Sequence, residues 1–147
     1  MRSCKPFLKP SSVDEINEAQ AAMDESGDMT DMMRLIDALA RSESKENVKV
    51  AYESLRSFPE DAPNQQAQRE FLIILVLYRL KNDDECIKLC KNVRYSQNEH
   101  LAKEIYKQIK NEHEGETEKN VAIGLGVGAA ILAGAAFVLS LVSRRRK

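Results

Sequence analysis

Cysteine and histidine side chains most readily bind metals or act as nucleophiles, and this chain has three cysteines and two histidines. Cys86 and Cys90 are four positions apart, which places both thiols on one face of a helix. A structural zinc ion takes four ligands, and His100 and His113 lie too far apart in the sequence to complete such a set. We therefore expect no metal site, and thiols that act as small apolar side chains.

Catalytic groupings are equally absent from the sequence. It shows no Ser-His-Asp or Cys-His arrangement and no phosphate-binding loop. The letters GLGVGA at 124–129 imitate a dinucleotide-binding fingerprint, but no strand is predicted before them and no acidic residue follows at the required distance. The sequence thus predicts a protein that is not an enzyme and uses no cofactor.

The same glycines belong to a long apolar segment, residues 121–142, which contains no charged side chain. As a helix it would be roughly 33 Å long, close to the thickness of a bilayer's hydrocarbon core. A buried interior helix is the alternative, but such helices are rarely apolar on every face. We expect one transmembrane helix here, preceded by a charged hinge at 115–120.

A short basic tail follows the segment: residues 143–147, with Arg144, Arg145, Arg146 and Lys147. A span so near the C-terminus would insert after synthesis and leave the preceding residues in the cytosol. Such a weakly apolar tail anchor with a basic end favours the outer mitochondrial membrane, and also peroxisomes, over the endoplasmic reticulum. Gly124 and Gly128 form a GxxxG pattern that would let two anchors pair, although an unpaired anchor fits equally well.

Charge and cysteine content further limit the possible functions and cellular compartments. Without the four tail residues, 18 of the chain's 22 basic side chains remain against 23 acidic ones, a net charge of −5. An acidic domain without a basic stripe argues against nucleic-acid binding. Three cysteines without a secretory signal indicate free thiols in the reducing cytosol.

Residues that typically start or end helices divide residues 11–114 into six predicted helices. An N-terminal arm, residues 1–10, precedes them. A run of seven apolar residues at 71–77 would be the buried middle of the fourth helix, although a buried strand is the competing interpretation. The predicted starts are Ser12, Thr30 or Asp31, Asn47, Gln65, Asn82 and Asn98; the predicted ends include Gly27, Pro59, Leu80 and Gly115.

Apolar positions recur at a spacing of 35 residues, as in Ile36 and Phe71, and in Leu39 and Ile74. This spacing is close to the period of tetratricopeptide repeats, which are antiparallel helix pairs. The predicted fold is therefore all-α: a six-helix bundle with two tetratricopeptide-like repeats, followed by the transmembrane helix.

Several short stretches in this order resemble the mitochondrial fission 1 protein family of tail-anchored adaptors. Together with the glycine- and alanine-rich anchor and its basic tail, the stretches that carry the resemblance are 12–16, 39–42, 47–49, 68–71, 78–81, 97–98 and 102–105. The resemblance implies a non-enzymatic protein that recruits a dynamin-related GTPase, directly or through adaptors, to sites of mitochondrial and peroxisomal fission. In the family the N-terminal arm regulates access to a groove, but residues 1–10 here differ from the family pattern.

A repeat pair forms a concave groove lined by the first helix of each hairpin, here the second and fourth helices. Tyr78 and Arg79 are the strongest candidates for partner binding, because such amphipathic side chains are enriched at interfaces. We expect their replacement to weaken recruitment without unfolding the protein. The other candidates, which would equally suit a hydrophobic core, are Leu35, Leu39 and Ile74.

Two other functions fit a tail-anchored helical domain. An apoptosis regulator would need a buried central helix, which residues 71–77 could supply, although the 35-residue echo argues against it. A co-chaperone that clamps a partner peptide would need a basic groove, for which only Arg34, Arg41 and Arg79 are available.

Overall fold

A computed structural model describes residues 1–59 and 63–123; for residues 116–123 it describes the helical backbone alone. Within these ranges every regular element is a helix and no strand occurs, so the all-α prediction with six α-helices is confirmed. A short 3₁₀ turn precedes the fourth helix and another precedes the sixth. The helices are α1 (Val13–Ser26), α2 (Met29–Ala40), α3 (Lys45–Arg56), α4 (Gln66–Arg79), α5 (Asp83–Lys91) and α6 (Glu99–Ile123).

Local side chains define the boundaries of α1 as the sequence predicts. The Ser12 hydroxyl accepts a hydrogen bond from the Glu15 N–H at 3.1 Å, which satisfies one of the unpaired donors of the first turn. Gly27 ends the helix in the left-handed conformation with φ 65°, where glycine carries no steric penalty. The helix therefore has matched start and stop signals.

Three predicted boundaries are wrong. The second helix begins at Met29, because its cap is Asp28 and not Thr30 or Asp31: the Asp31 N–H donates to the Asp28 carboxylate at 2.8 Å. The third helix begins at Lys45 because Ser44, not Asn47, is its cap: the Asn47 N–H donates to the Ser44 hydroxyl at 3.4 Å. The sixth helix does not end at Gly115 but continues to Ile123, through the predicted hinge at 115–120. A glycine costs only about 1 kcal/mol in a helix interior, and no proline follows to enforce an end.

The centre of the core is α4, which contacts α2, α3 and α5. Its run of seven apolar residues is helical, so the alternative of a buried strand is wrong. Leu72 and Val76 pack into one cluster with buried residues of α2 and α3, among them Ile36 and Leu55. Aliphatic side chains of α2 and α3 thus pack against those of α4.

The contacts divide the chain into two units, residues 1–105 and residues 106–147. The described part of the second unit is the remainder of α6. In the part of the chain that the structure describes, no helix is both long and apolar enough to cross a bilayer. The predicted transmembrane segment at 121–142, beyond its first three residues, and the basic tail at 143–147 lie outside the described residues.

Candidate partner-binding site at the ends of α2 and α4

The last carbonyl groups of α2 and α4 form a polar site in the first unit. Helix ends leave carbonyl oxygens without intrahelical donors, so a buried helix end needs donors from elsewhere. Arg79, the last residue of α4, supplies them to α2: its guanidinium donates to the carbonyls of Ala40 and Ser42, both at 2.6 Å. Arg79 is only 2% exposed.

The N-terminal arm, residues 1–10, supplies the donors for the end of α4. The Arg2 N–H donates to the Arg79 carbonyl at 2.8 Å, and Arg79 Nε donates back to the Arg2 carbonyl at 3.0 Å. The Arg2 guanidinium also donates to the Tyr78 carbonyl at 2.9 Å. The arm is therefore joined to α4 by backbone and side-chain hydrogen bonds together.

A bidentate ion pair with Asp83 fixes Arg2 at the junction of α4 and α5. Its guanidinium nitrogens lie 2.6 and 3.0 Å from the two carboxylate oxygens of Asp83, and both side chains are less than one-tenth exposed. The cation sits at the C-terminus of α4 and the anion in the first turn of α5, where each helix dipole favours that charge. The pair thus complements both helix ends.

Apolar contacts complete the arm's attachment. The Arg2 guanidinium lies 4.8 Å from the centre of the Tyr78 ring, and the Phe7 ring meets Tyr78 edge-on at 5.5 Å. Cys4 is fully buried, with its sulfur 3.7 Å from the Arg41 carbonyl oxygen. Arm residues therefore cover Tyr78, which is only 3% exposed.

The positively charged side chain of Arg79 is buried between the arm and the ends of α2 and α4. Burial lowers the pKa of its guanidinium, against opposing electrostatic effects of Cys4 and Glu43. Arginine still remains protonated because its ordinary pKa lies above 12. The site is thus a buried cation held by carbonyl oxygens.

A cleft of about 310 Å³ lies beside this site, between α1, α2 and Gln68 of α4. The Arg41 guanidinium spans it, at 2.8 Å from a Glu15 carboxylate oxygen and in contact with Asp37 on its own helix. The hydrogen bond from Arg41 is the main reason why the pKa of Glu15 is lowered. Arg34 and Thr30 also line the cleft.

The predicted site residues fall into two groups. Leu35 and Leu39 of α2 are half-buried, and Leu39 packs on the core cluster. Ile74, Tyr78 and Arg79 of α4 are buried, so they do not form an open groove while the arm is in place. We expect replacement of Arg79 to lower the stability of the fold as well as recruitment, because its guanidinium bonds the end of α2.

Sequence reasoning missed Arg2, Phe7 and Asp83. Arg2 and Asp83 are 81 positions apart, and no periodic pattern connects them. The only local signal is the acidic first turn of α5, which favours a nearby cation. In the described residues no cluster of three or more histidine, cysteine or acidic side chains is arranged to bind a metal ion.

No protein-family model matches this chain, and no curated protein matches it.

Proposed function

We propose that this protein is a non-enzymatic adaptor of the outer mitochondrial membrane, and also of peroxisomes. It promotes organelle fission by recruiting a dynamin-related GTPase or that GTPase's adaptors. The resemblance to the mitochondrial fission 1 family suggests this function. One observation carries the binding part of it: the N-terminal arm, which contains a turn at residues 4–8, already lies on the ends of α2 and α4.

The arm is bound as a partner peptide would be. Peptide-binding sites typically combine main-chain hydrogen bonds with side-chain anchors. Here one main-chain hydrogen bond and one from the Arg79 side chain join Arg2 and Arg79, while Arg2 and Phe7 anchor the arm on Tyr78. Release of the arm would expose Tyr78, and that aromatic face is the proposed contact for the recruited protein.

The helix contacts support two tetratricopeptide-like repeats. In such repeats each hairpin packs on the next, and the first helices of adjacent hairpins meet. The pairs α2 with α3 and α4 with α5 are in contact, and both helices of the first pair also contact α4. We propose that these pairs are the two repeats, with α2 and α4 lining the groove.

The membrane part of the proposal comes from sequence. Residues 121–142 have the length and apolarity of a tail anchor, and Arg144, Arg145, Arg146 and Lys147 give it a basic end. A fluorescent protein fused to residues 115–147 is expected on mitochondria. Reticular staining would contradict the mitochondrial assignment.

Organelle morphology tests the function itself. Cells that lack the protein are expected to contain elongated mitochondria and peroxisomes. The full chain should restore normal length, whereas a chain ending at residue 120 should remain in the cytosol and fail to restore it. Unchanged organelle length after loss of the protein would count against a role in fission and leave the alternatives of apoptosis regulation and peptide clamping.

A further inference from the structure

The two thiols of α5 lie in different surroundings. Cys86 is fully buried against α4, and its thiol donates to the Ile74 carbonyl oxygen, with sulfur and oxygen 3.5 Å apart. Cys90, one turn later on the same face, is only partly buried. Of these two sulfur atoms, a reagent in solution would therefore reach that of Cys90.

Cys90 opens into a cleft of about 260 Å³ between α5 and the start of α6. Lys91 and Lys103 bring positive charge to the cleft, Glu99 brings one negative charge, and Val93 supplies an apolar wall. A ligand with two carboxylates, one ammonium group and a sulfur atom complements this lining. Glutathione, the common cytosolic peptide thiol, has that set of groups.

The neighbouring thiol favours ionisation of Cys90. Cys86 has a single thiol hydrogen, which can turn from the Ile74 carbonyl to an ionised Cys90 sulfur one helical turn away. This hydrogen bond is the main cause of the lowered pKa of Cys90, against the opposite effect of burial.

We propose that Cys90 is a redox-modification site that forms a mixed disulfide with an anionic peptide disulfide of the glutathione class. The Cys90 thiol first loses its proton to water. The thiolate then attacks one sulfur of the oxidised peptide, the original S–S bond breaks, and the other half leaves as a thiolate that takes up a proton. The Cys90 sulfur is oxidised and the departing sulfur is reduced.

Cys86 does not resolve this mixed disulfide. Its hydrogen bond with Cys90, followed by burial, raises its pKa far above the ordinary range. A buried thiol that stays protonated is a poor nucleophile. The mixed disulfide is therefore the end product, in place of a disulfide within α5.

The test uses the full chain in detergent, with glutathione disulfide and the neutral 2,2′-dithiodipyridine as probes. Peptide mapping by mass spectrometry is expected to find one glutathionyl group per chain, on Cys90, with Cys4 and Cys86 unmodified. Cys90→Ser should abolish the modification and leave thermal unfolding unchanged. Modification mainly at Cys4 or Cys86, or a Cys86–Cys90 disulfide, would overturn the proposal.

A charge-reversal pair separates recognition from mere accessibility. Lys103→Glu should slow the reaction with glutathione disulfide, relative to the neutral probe, by about two- to fivefold, the effect expected of one exposed charge. Lys49→Glu, an exposed position on α3 with the same change in charge, should leave the ratio unchanged. The proposal would be overturned if the two variants had equal ratios of the rate with glutathione disulfide to the rate with the neutral probe. It would also be overturned if Cys90 reacted with glutathione disulfide no faster than a cysteine in a short peptide does.

Discussion

Arg79 is a structural residue, because its guanidinium bonds the carbonyl groups that end α2. In Arg79→Met the carbonyls of Ala40 and Ser42 lose their donor, and each buried acceptor left unpaired costs about 1–3 kcal/mol. We expect the free energy of unfolding to fall by about 2 kcal/mol or more in urea titrations. Arg34→Met, at an exposed position of α2, should stay within about 0.5 kcal/mol of the wild type. Equal losses for the two variants would show that Arg79 bonds nothing essential.

Asp83 holds the arm through its charge. Asp83→Asn keeps the shape of the side chain and one acceptor oxygen but removes the ion pair with Arg2. Hydrogen exchange of the arm's amides, such as those of Phe7 and Leu8, should become faster while the amides of α4 keep their protection. Glu104→Gln, an exposed neutralisation on α6, is the control and should change neither. Unchanged exchange in Asp83→Asn would mean that the arm is held without this ion pair.

Much of this detail is invisible in the sequence for a physical reason. Tyr78 and Arg79 could be singled out because amphipathic side chains of this kind are enriched at interfaces. Their exposure could not be foreseen, because it depends on Arg2 and Phe7 at the far end of the chain. Contacts between segments with no common periodicity leave no local pattern.

At the scale of elements, local chemistry did predict most boundaries. Ser12 and Gly27 were identified as start and stop signals because a cap acts within one helical turn. The start of α3 was misplaced because Ser44 and Asn47 are both good caps, three residues apart, and the sequence does not rank them. The course of α6 through Gly115 shows that a single glycine is a weak stop signal.

The end of α1 gives a sharp test of backbone conformation. Gly27 has φ 65°, and a Cβ at this position would meet no neighbouring atom within 4 Å. Any cost of substitution therefore comes from the left-handed backbone alone. Gly27→Ala should lower the free energy of unfolding by about 1 kcal/mol, and Gly27→Asn by less, because asparagine tolerates this conformation. Equal effects of alanine and asparagine would contradict this account.

The ion pair between α1 and α2 makes their packing sensitive to pH. Because Arg41 lowers the pKa of Glu15 in the folded chain, Glu15 contributes stability above its unfolded pKa, about 4.3. That contribution disappears as the pH falls through the lower folded value. The stability difference between wild type and Glu15→Gln, measured by urea titration, should therefore shrink on acidification from neutral pH. A difference that stays constant or grows at acidic pH would contradict the assignment.

In the whole molecule, a helical domain precedes a proposed tail anchor. The sequence predicted the all-α class because its apolar positions follow a helical period and its breakers are few. It also suggested paired hairpins, because the apolar residues Ile36 and Phe71 are 35 positions apart. In the structure, α2 and α4 contact each other. The covering of the proposed groove by the arm was not predicted.

Relocation of the helical domain is the most direct test of recruitment. Residues 121–147 would be replaced by the membrane anchor of a lysosomal protein, and the dynamin-related GTPase would be imaged in the same cells. We expect the GTPase to accumulate on lysosomes that carry the helical domain, and not on lysosomes that carry the anchor alone. A GTPase that stays away from lysosomes while the helical domain is present on them would contradict the central claim.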